Sequence, residues 1–243
     1  MIASGNEGIN MNSILGEDES SRRRFLQLSA AGAAAALVMG GLEIAAPVEV
    51  RAQSNLSPDA ALKELMDGNQ RLTSGKLKAF DEDLAILRQQ TVEKQEPFAA
   101  VLSCADSRVP VEIVFDQSIG HLFVTRVAGN VITPEIIGSL EYGAAVLGTK
   151  VILVMGHSGC GAVKATIQGK EVPGQISSLF PHIQPGVEQG GTDLVAATKA
   201  NAKIQATLLT QASTVISEMA KAGKLKVVAG YYDLGSGAVT LVQ

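Results

Sequence analysis

Two short segments hold the residues whose types and spacing could do chemistry. C-A-D-S-R carries Cys104, Asp106 and Arg108, and H-S-G-C-G carries His157 and Cys160. The two cysteines are the only ones in 243 residues. Two thiolates and an imidazole form a borderline-soft donor set suited to Zn²⁺. The H-x-x-C spacing puts His157 and Cys160 on one loop or first helical turn, so Cys104 must reach them from a neighbouring strand end. Three ligands leave the fourth position for water or for Asp106. A structural zinc site would want a fourth cysteine or histidine. Of the other histidines, His121 precedes an apolar run and His182 lies in a Gly/Pro-rich stretch, so neither supplies it. The pattern points to a catalytic metal site. A disulfide is the competing reading of the cysteines, and the nearby His157 argues for metal.

Asp106 could ligate the metal, orient its water or cap a helix. Arg108, two residues on, can hold it in a bidentate pair. Alone, D-S-R reads equally well as a structural salt bridge; beside Cys104 it reads as functional. Gly156, Gly159 and Gly161 narrow the His157 loop and permit positive φ there. There is no G-x-G-x-x-G and no Walker A pattern, so no nucleotide is inferred.

The elements that must position these residues alternate. Ser57–Gly75 reads as a helix with Ser57 at its N-cap and Pro58 behind it. Asp81–Gln95 reads as a more polar helix ended by Pro97. Apolar runs at Phe98–Ser103, His121–Ala128, Val151–Met155 and Leu225–Tyr231 read as strands, and Pro134–Leu147 as a helix capped by Thr133. Ala162–Gly169 continues as a helix from the His157 loop. Lys170–Gly191 looks like an extended surface insertion, and Thr192–Ala222 like one long helix. A turn at Asp233–Gly237 leads into Ala238–Val242, an antiparallel edge strand. Near-continuous apolar strands alternating with helices predict an α/β fold with a central, largely parallel sheet flanked by helices. The candidate ligands then fall just past strand C-termini, where open α/β sheets place their sites.

Composition bounds the rest. The formal charge is -4 and aromatics are 4%, with no Trp. No basic stripe or interleaved aromatic run suggests a nucleic-acid surface. Residues 1–52 read as a tail outside the fold. S-R-R-R-F-L at Ser21–Leu26, followed by an Ala-rich apolar run to Leu42, resembles a twin-arginine export signal with Arg22 and Arg23 as the pair. Its glycines suit a signal better than a packed membrane span. Cleavage near Val50-Arg51-Ala52 would leave residues 53–243 as one exported, periplasmic or extracellular domain with no stable membrane association. An uncleaved membrane anchor is the alternative.

From about Leu56 to Gln243 the chain strongly resembles the β-class carbonic anhydrases. The motifs are A-L-K-E-L-M-D-G-N-Q-R-L, S-C-A-D-S-R-V-P, F-V-T-R-V-A-G-N, S-L-E-Y-G, G-H-S-G-C-G-A-V and Y-Y-D-L-G-S-G-A-V. The resemblance implies one zinc per chain on Cys104, His157 and Cys160, with Asp106 and Arg108 as the catalytic dyad. It implies a substrate pocket of Gln95, Phe123, Ala128, Tyr142 and Gly159. The usual C-S-D-S-R is C-A-D-S-R here, so Ala105 lacks a hydroxyl but no ligand is lost. The implied reaction is reversible hydration of CO₂ to bicarbonate and a proton. The implied assembly is a homodimer, or a tetramer of two dimers, embraced by the N-terminal helices. The competing readings are hydrolysis of COS or CS₂ at the same metal, and a non-catalytic module binding zinc or bicarbonate.

Overall fold

The computed structural model describes residues 54–79 and 84–243. The expected export signal and its cleavage region lie outside these residues.

Five strands form one sheet: β1 (Ala99–Ser103), β2 (Leu122–Arg126), β3 (Val151–His157), β4 (Lys226–Tyr232) and β5 (Val239–Val242). Their order is β2-β1-β3-β4-β5. The first four are parallel and β5 is antiparallel to β4, as expected. Every residue of β1 and β3 is buried, which explains why both read as unbroken apolar runs. The period of two then sorts the side chains. Ala99, Val101, Leu153 and Met155 face Leu65, Val111 and Phe115 on one side. Ala100, Leu102, Ile152 and Val154 face Leu140, Ala206, Leu209 and Ile216 on the other.

Helix α1 (Pro58–Thr73) starts where the sequence places it. Ser57 Oγ accepts from the Ala60 N–H at 3.2 Å, and Pro58 occupies a position that needs no N–H. A Cβ on Gly68 would stand 1.8 Å from the Phe115 carbonyl oxygen, so the helix rests directly on backbone. Beside it, buried Asn69 donates to Val114 O (3.0 Å) and Gly237 O (2.8 Å) and accepts from Val239 N–H (2.8 Å). This ties α1 to β5 and to the short helix α3 (Val111–Val114). Helix α2 (Leu84–Thr91) ends at Thr91, before the expected Gln95. Thr91 Oγ1 bonds back to Arg88 O, and the polar V-E-K-Q that follows has no apolar face to pack.

Three further expectations need correction. Helix α4 (Pro134–Glu141) does not run on unchanged to Leu147; it widens into a π turn at Tyr142–Val146. Gly143 in that turn lets the Phe123 ring approach to 3.0 Å from where a Cβ would sit. After α5 (Gly161–Gln168), the Gly/Pro-rich stretch is no loose insertion. It forms a 3₁₀ segment at Gly174–Leu179 and helix α6 (Phe180–Gly190). Cβ atoms on Gly186 and Gly190 would meet Asn201 Cβ at 2.7 Å and Ala197 Cα at 2.3 Å. Those glycines serve close helix packing, not turns. The long helix after it is two, α7 (Leu194–Ala212) and α8 (Thr214–Lys221). Ser213 is extended, its Oγ accepts from Ile216 N–H, and it donates to Glu141 Oε1 at 2.6 Å, so one serine ends the first helix and caps the second.

Candidate metal centre

The register of the parallel pairs delivers the ligands. Ser103 lies opposite Met155, so β1 releases Cys104 at the level where β3 approaches its last residue, His157. Cys160 follows as the N-cap of α5, after Gly159 turns the chain at φ 68°. A Cβ on Gly159 would find only Arg108 Nη2, at 4.0 Å, so conformation rather than space calls for glycine there. On the strand itself, a Cβ on Gly156 would meet Thr198 Cγ2 of α7 at 2.8 Å.

Cys104, His157 and Cys160 are all buried, and their ligand atoms lie within 4.8 Å of one another. Tetrahedral zinc with thiolate and imidazole ligands would separate those atoms by about 3.5–3.8 Å, a small contraction. Both cysteines are free thiols, so the disulfide reading finds no support. His157 Nδ1 meets Ser158 O at 2.9 Å, which makes Nδ1 the donor and leaves the Nε2 lone pair bare. Nε2 is buried with no hydrogen-bond partner. An orphaned imidazole nitrogen between two buried sulfurs is a cost unless a metal occupies the space, so the residues fit zinc.

The thiols do not share that space equally. Cys160 and the Gly129 N–H (3.4 Å) stabilise negative charge on Cys104, pulling its thiol down despite burial. The charge on Cys104, together with burial, pushes the Cys160 thiol up. A divalent cation at this point would relieve that repulsion and favour both thiolates.

Asp106 stands at the rim. Its Oδ2 is 3.8 Å from His157 Nε2, and it lies outside the ligand cluster. Arg108 holds it with a fork: Nε to Oδ1 at 2.9 Å and Nη2 to Oδ2 at 2.7 Å, with its backbone N–H on Oδ1 at 2.9 Å. Arg108 keeps the Asp106 carboxyl far below the usual carboxylate range, against a smaller opposing effect of burial. Arg108 is itself exposed, so the pair fixes orientation more than it adds stability.

One residue of this neighbourhood escaped the sequence reading. Arg126, last in β2, donates from Nε to Cys104 O (3.1 Å) and from Nη2 to Asp106 O (2.5 Å). It clamps the backbone that carries both a ligand and the dyad. Its only signal was a charge at the end of an apolar strand.

The expected pocket residues separate into two groups. Ala128 opens the turn that presents Gly129 to Cys104, and Gly159 O lies 3.5 Å from Arg108 Nη2. Gln95 and Tyr142 instead line a cleft of about 510 Å³ whose walls include none of the three ligands. Phe123 packs beside Tyr142, with ring centroids 6.2 Å apart. In register it sits beside Ala100, four residues before Cys104, or roughly 13 Å along the strand.

Comparisons agree with this geometry. The carbonic anhydrase family profile matches residues 99–239. A carbonic anhydrase of Mycolicibacterium smegmatis is 36% identical over 197 residues, covering 77% of this chain and 94% of that protein. Carbonic anhydrase 2 of Mycobacterium tuberculosis is 34% identical over 195 residues, with the same coverage of 77% and 94%. Among solved structures, the β-carbonic anhydrase CafA of Aspergillus fumigatus superimposes with a TM-score of 0.61 at 24% identity, covering 76% of this chain and 90% of that one.

Proposed function

Because the chain belongs to the β-class carbonic anhydrases, we propose that it catalyses the reversible hydration of CO₂ to bicarbonate and a proton, with one zinc ion per chain. The observation that carries this is the buried Cys104–His157–Cys160 cluster, with its bare Nε2, beneath a carboxylate held by Arg108. Cys104, His157 and Cys160 would hold the metal, which when bound supplies a Lewis acid that makes water nucleophilic near neutral pH.

The chain's own residues do the rest. Asp106, ionised and held by Arg108, accepts a hydrogen bond from the attacking water and aims its lone pair at the carbon of CO₂. The Arg108 fork occupies both carboxylate oxygens and so keeps Asp106 from joining the ligand set. Ala128 presents a small apolar wall for a small apolar substrate. The non-catalytic zinc module is disfavoured, because a purely structural site needs neither member of the dyad. Gln95, Phe123 and Tyr142 belong to the substrate path of a homodimer, in which a second copy completes the cleft; the exposed Tyr142 and Val146 support this. The export reading rests on Ser21–Leu26 and the apolar run behind it. Among the described residues, no helix is long and apolar enough to cross a membrane.

The test is stopped-flow CO₂ hydration with zinc content measured on the same sample. Turnover that scales with zinc, up to one per chain, is the expected result. Full zinc occupancy without CO₂ turnover, or turnover of COS alone, would overturn the reading.

A further inference from the structure

Helix α7 buries two amides in an otherwise alanine-rich face. Asn201 and Gln205 are one turn apart, and both are fully buried. Buried amides are costly unless every head group finds a partner, and these do. Asn201 Nδ2 donates to Gly129 O at 2.9 Å. Gln205 Oε1 accepts from Ile132 N–H at 2.8 Å, while its Nε2 donates to His182 O (2.8 Å) and Asn201 Oδ1 (3.2 Å). The pair therefore grips both ends of the turn from Gly129 to Ile132.

That turn needs gripping. Gly129 and Asn130 both have positive φ, 75° and 46°, and Asn130 is not a glycine. Gly129 is also fixed on its third side, since a Cβ there would meet Ile183 Cδ1 at 2.7 Å. While its carbonyl is held by Asn201, its N–H points at Cys104 Sγ, 3.4 Å away. We propose that Asn201 and Gln205 are positioning residues: they hold the Gly129 N–H on the Cys104 sulfur and thereby set the affinity of the three ligands for zinc. The inference rests on the zinc reading above. Its chemistry is general, because a hydrogen bond to a metal thiolate drains electron density from the sulfur and fixes its direction.

The test uses the full chain, with Asn201→Leu as a near-isosteric variant and Ile216→Ala as a control. Ile216 is buried in the same core, and its truncation removes packing but no hydrogen bond to residues 129–132. Zinc affinity is read by competition with a chromophoric chelator. The thiolate-to-metal charge-transfer band is read after Co²⁺ replaces zinc. Asn201→Leu should weaken zinc binding by roughly 10–100-fold and move the band to lower energy. Ile216→Ala should lower thermal stability and leave both readings in place. An Asn201→Leu protein with wild-type affinity and band, or an equal change in Ile216→Ala, would overturn the proposal. Should Asn201→Leu not fold, Gln205→Met releases the Ile132 end of the same turn and carries the same expectations. A wild-type chain that binds zinc but does not hydrate CO₂ would defeat the function and leave this comparison valid.

Discussion

On the proposed mechanism, Asp106 is the residue on which the chemistry turns and the metal binding does not. Asp106→Asn should lower kcat/KM by about 10²–10³-fold, the usual scale for a group that handles the reacting proton. Zinc content should stay at the wild-type level, because Asp106 lies outside the ligand cluster; rate and metal analysis on one preparation check both. A variant that loses its zinc would move Asp106 into the ligand set. C-A-D-S-R and H-S-G-C-G were legible because ligand type and spacing are local properties of a sequence. Arg126, Asn201 and Gln205 were not. Each acts on backbone from another element, Arg126 across the β1–β2 pair and the amides from α7. Nothing local separates a buried glutamine in an alanine-rich helix from a solvated one.

At the scale of elements, two features carry predictions. Asp116 is a buried carboxylate at φ 47° that accepts from Lys78 N–H, Ala79 N–H and Arg71 Nε, so it anchors the chain after α1. Burial pushes its carboxyl up, but the Ala79 N–H, Arg71 and the Lys78 N–H outweigh it, and the net shift is downward. A carboxylate depressed by folding stabilises above its unfolded pKa of about 4 and loses that contribution as pH falls through its folded value. Asp116→Asn should therefore cost about 2–3 kcal/mol at pH 7, and the gap to wild type should narrow by pH 3, read as urea midpoints. The second feature is the α6–α7 contact. Gly190→Ala would drive a methyl into Ala197 backbone, and overpacking of this kind costs about 1–3 kcal/mol. A thermal midpoint within a degree of wild type would contradict it. The sequence hid this contact because glycine and proline are turn signals first. Their second use, letting two helices touch, shows only when the partner helix is in view. The strands fared better: buried parallel strands announce themselves as apolar runs, and their bounds moved by one or two residues only.

For the whole molecule, the metal should be part of what holds the fold together. A ligand present at 1,000 times its Kd stabilises the folded state by about 4 kcal/mol. Stripping zinc with a chelator should lower the thermal midpoint by several degrees, abolish turnover and expose two titratable thiols, all reversed by zinc alone. A stripped chain with an unchanged midpoint would separate the site from the fold. The architecture was legible as a whole, because alternating helices and apolar strands leave few arrangements open. The destination of Gln95 and Tyr142 was not, since they line a cleft whose walls include none of their own chain's ligands.

The pairing of Ser103 with Met155 has a consequence for how the molecule is made. Cys104 and His157 meet only when β1 and β3 run side by side in that register, and a slip of one residue would turn Cys104 to the opposite face of the sheet. A chain still searching for its strand partners has nowhere to put a metal ion. Uptake of zinc thus sorts finished molecules from unfinished ones, and the time at which a newly made chain first retains the metal marks the moment its two central strands are correctly joined.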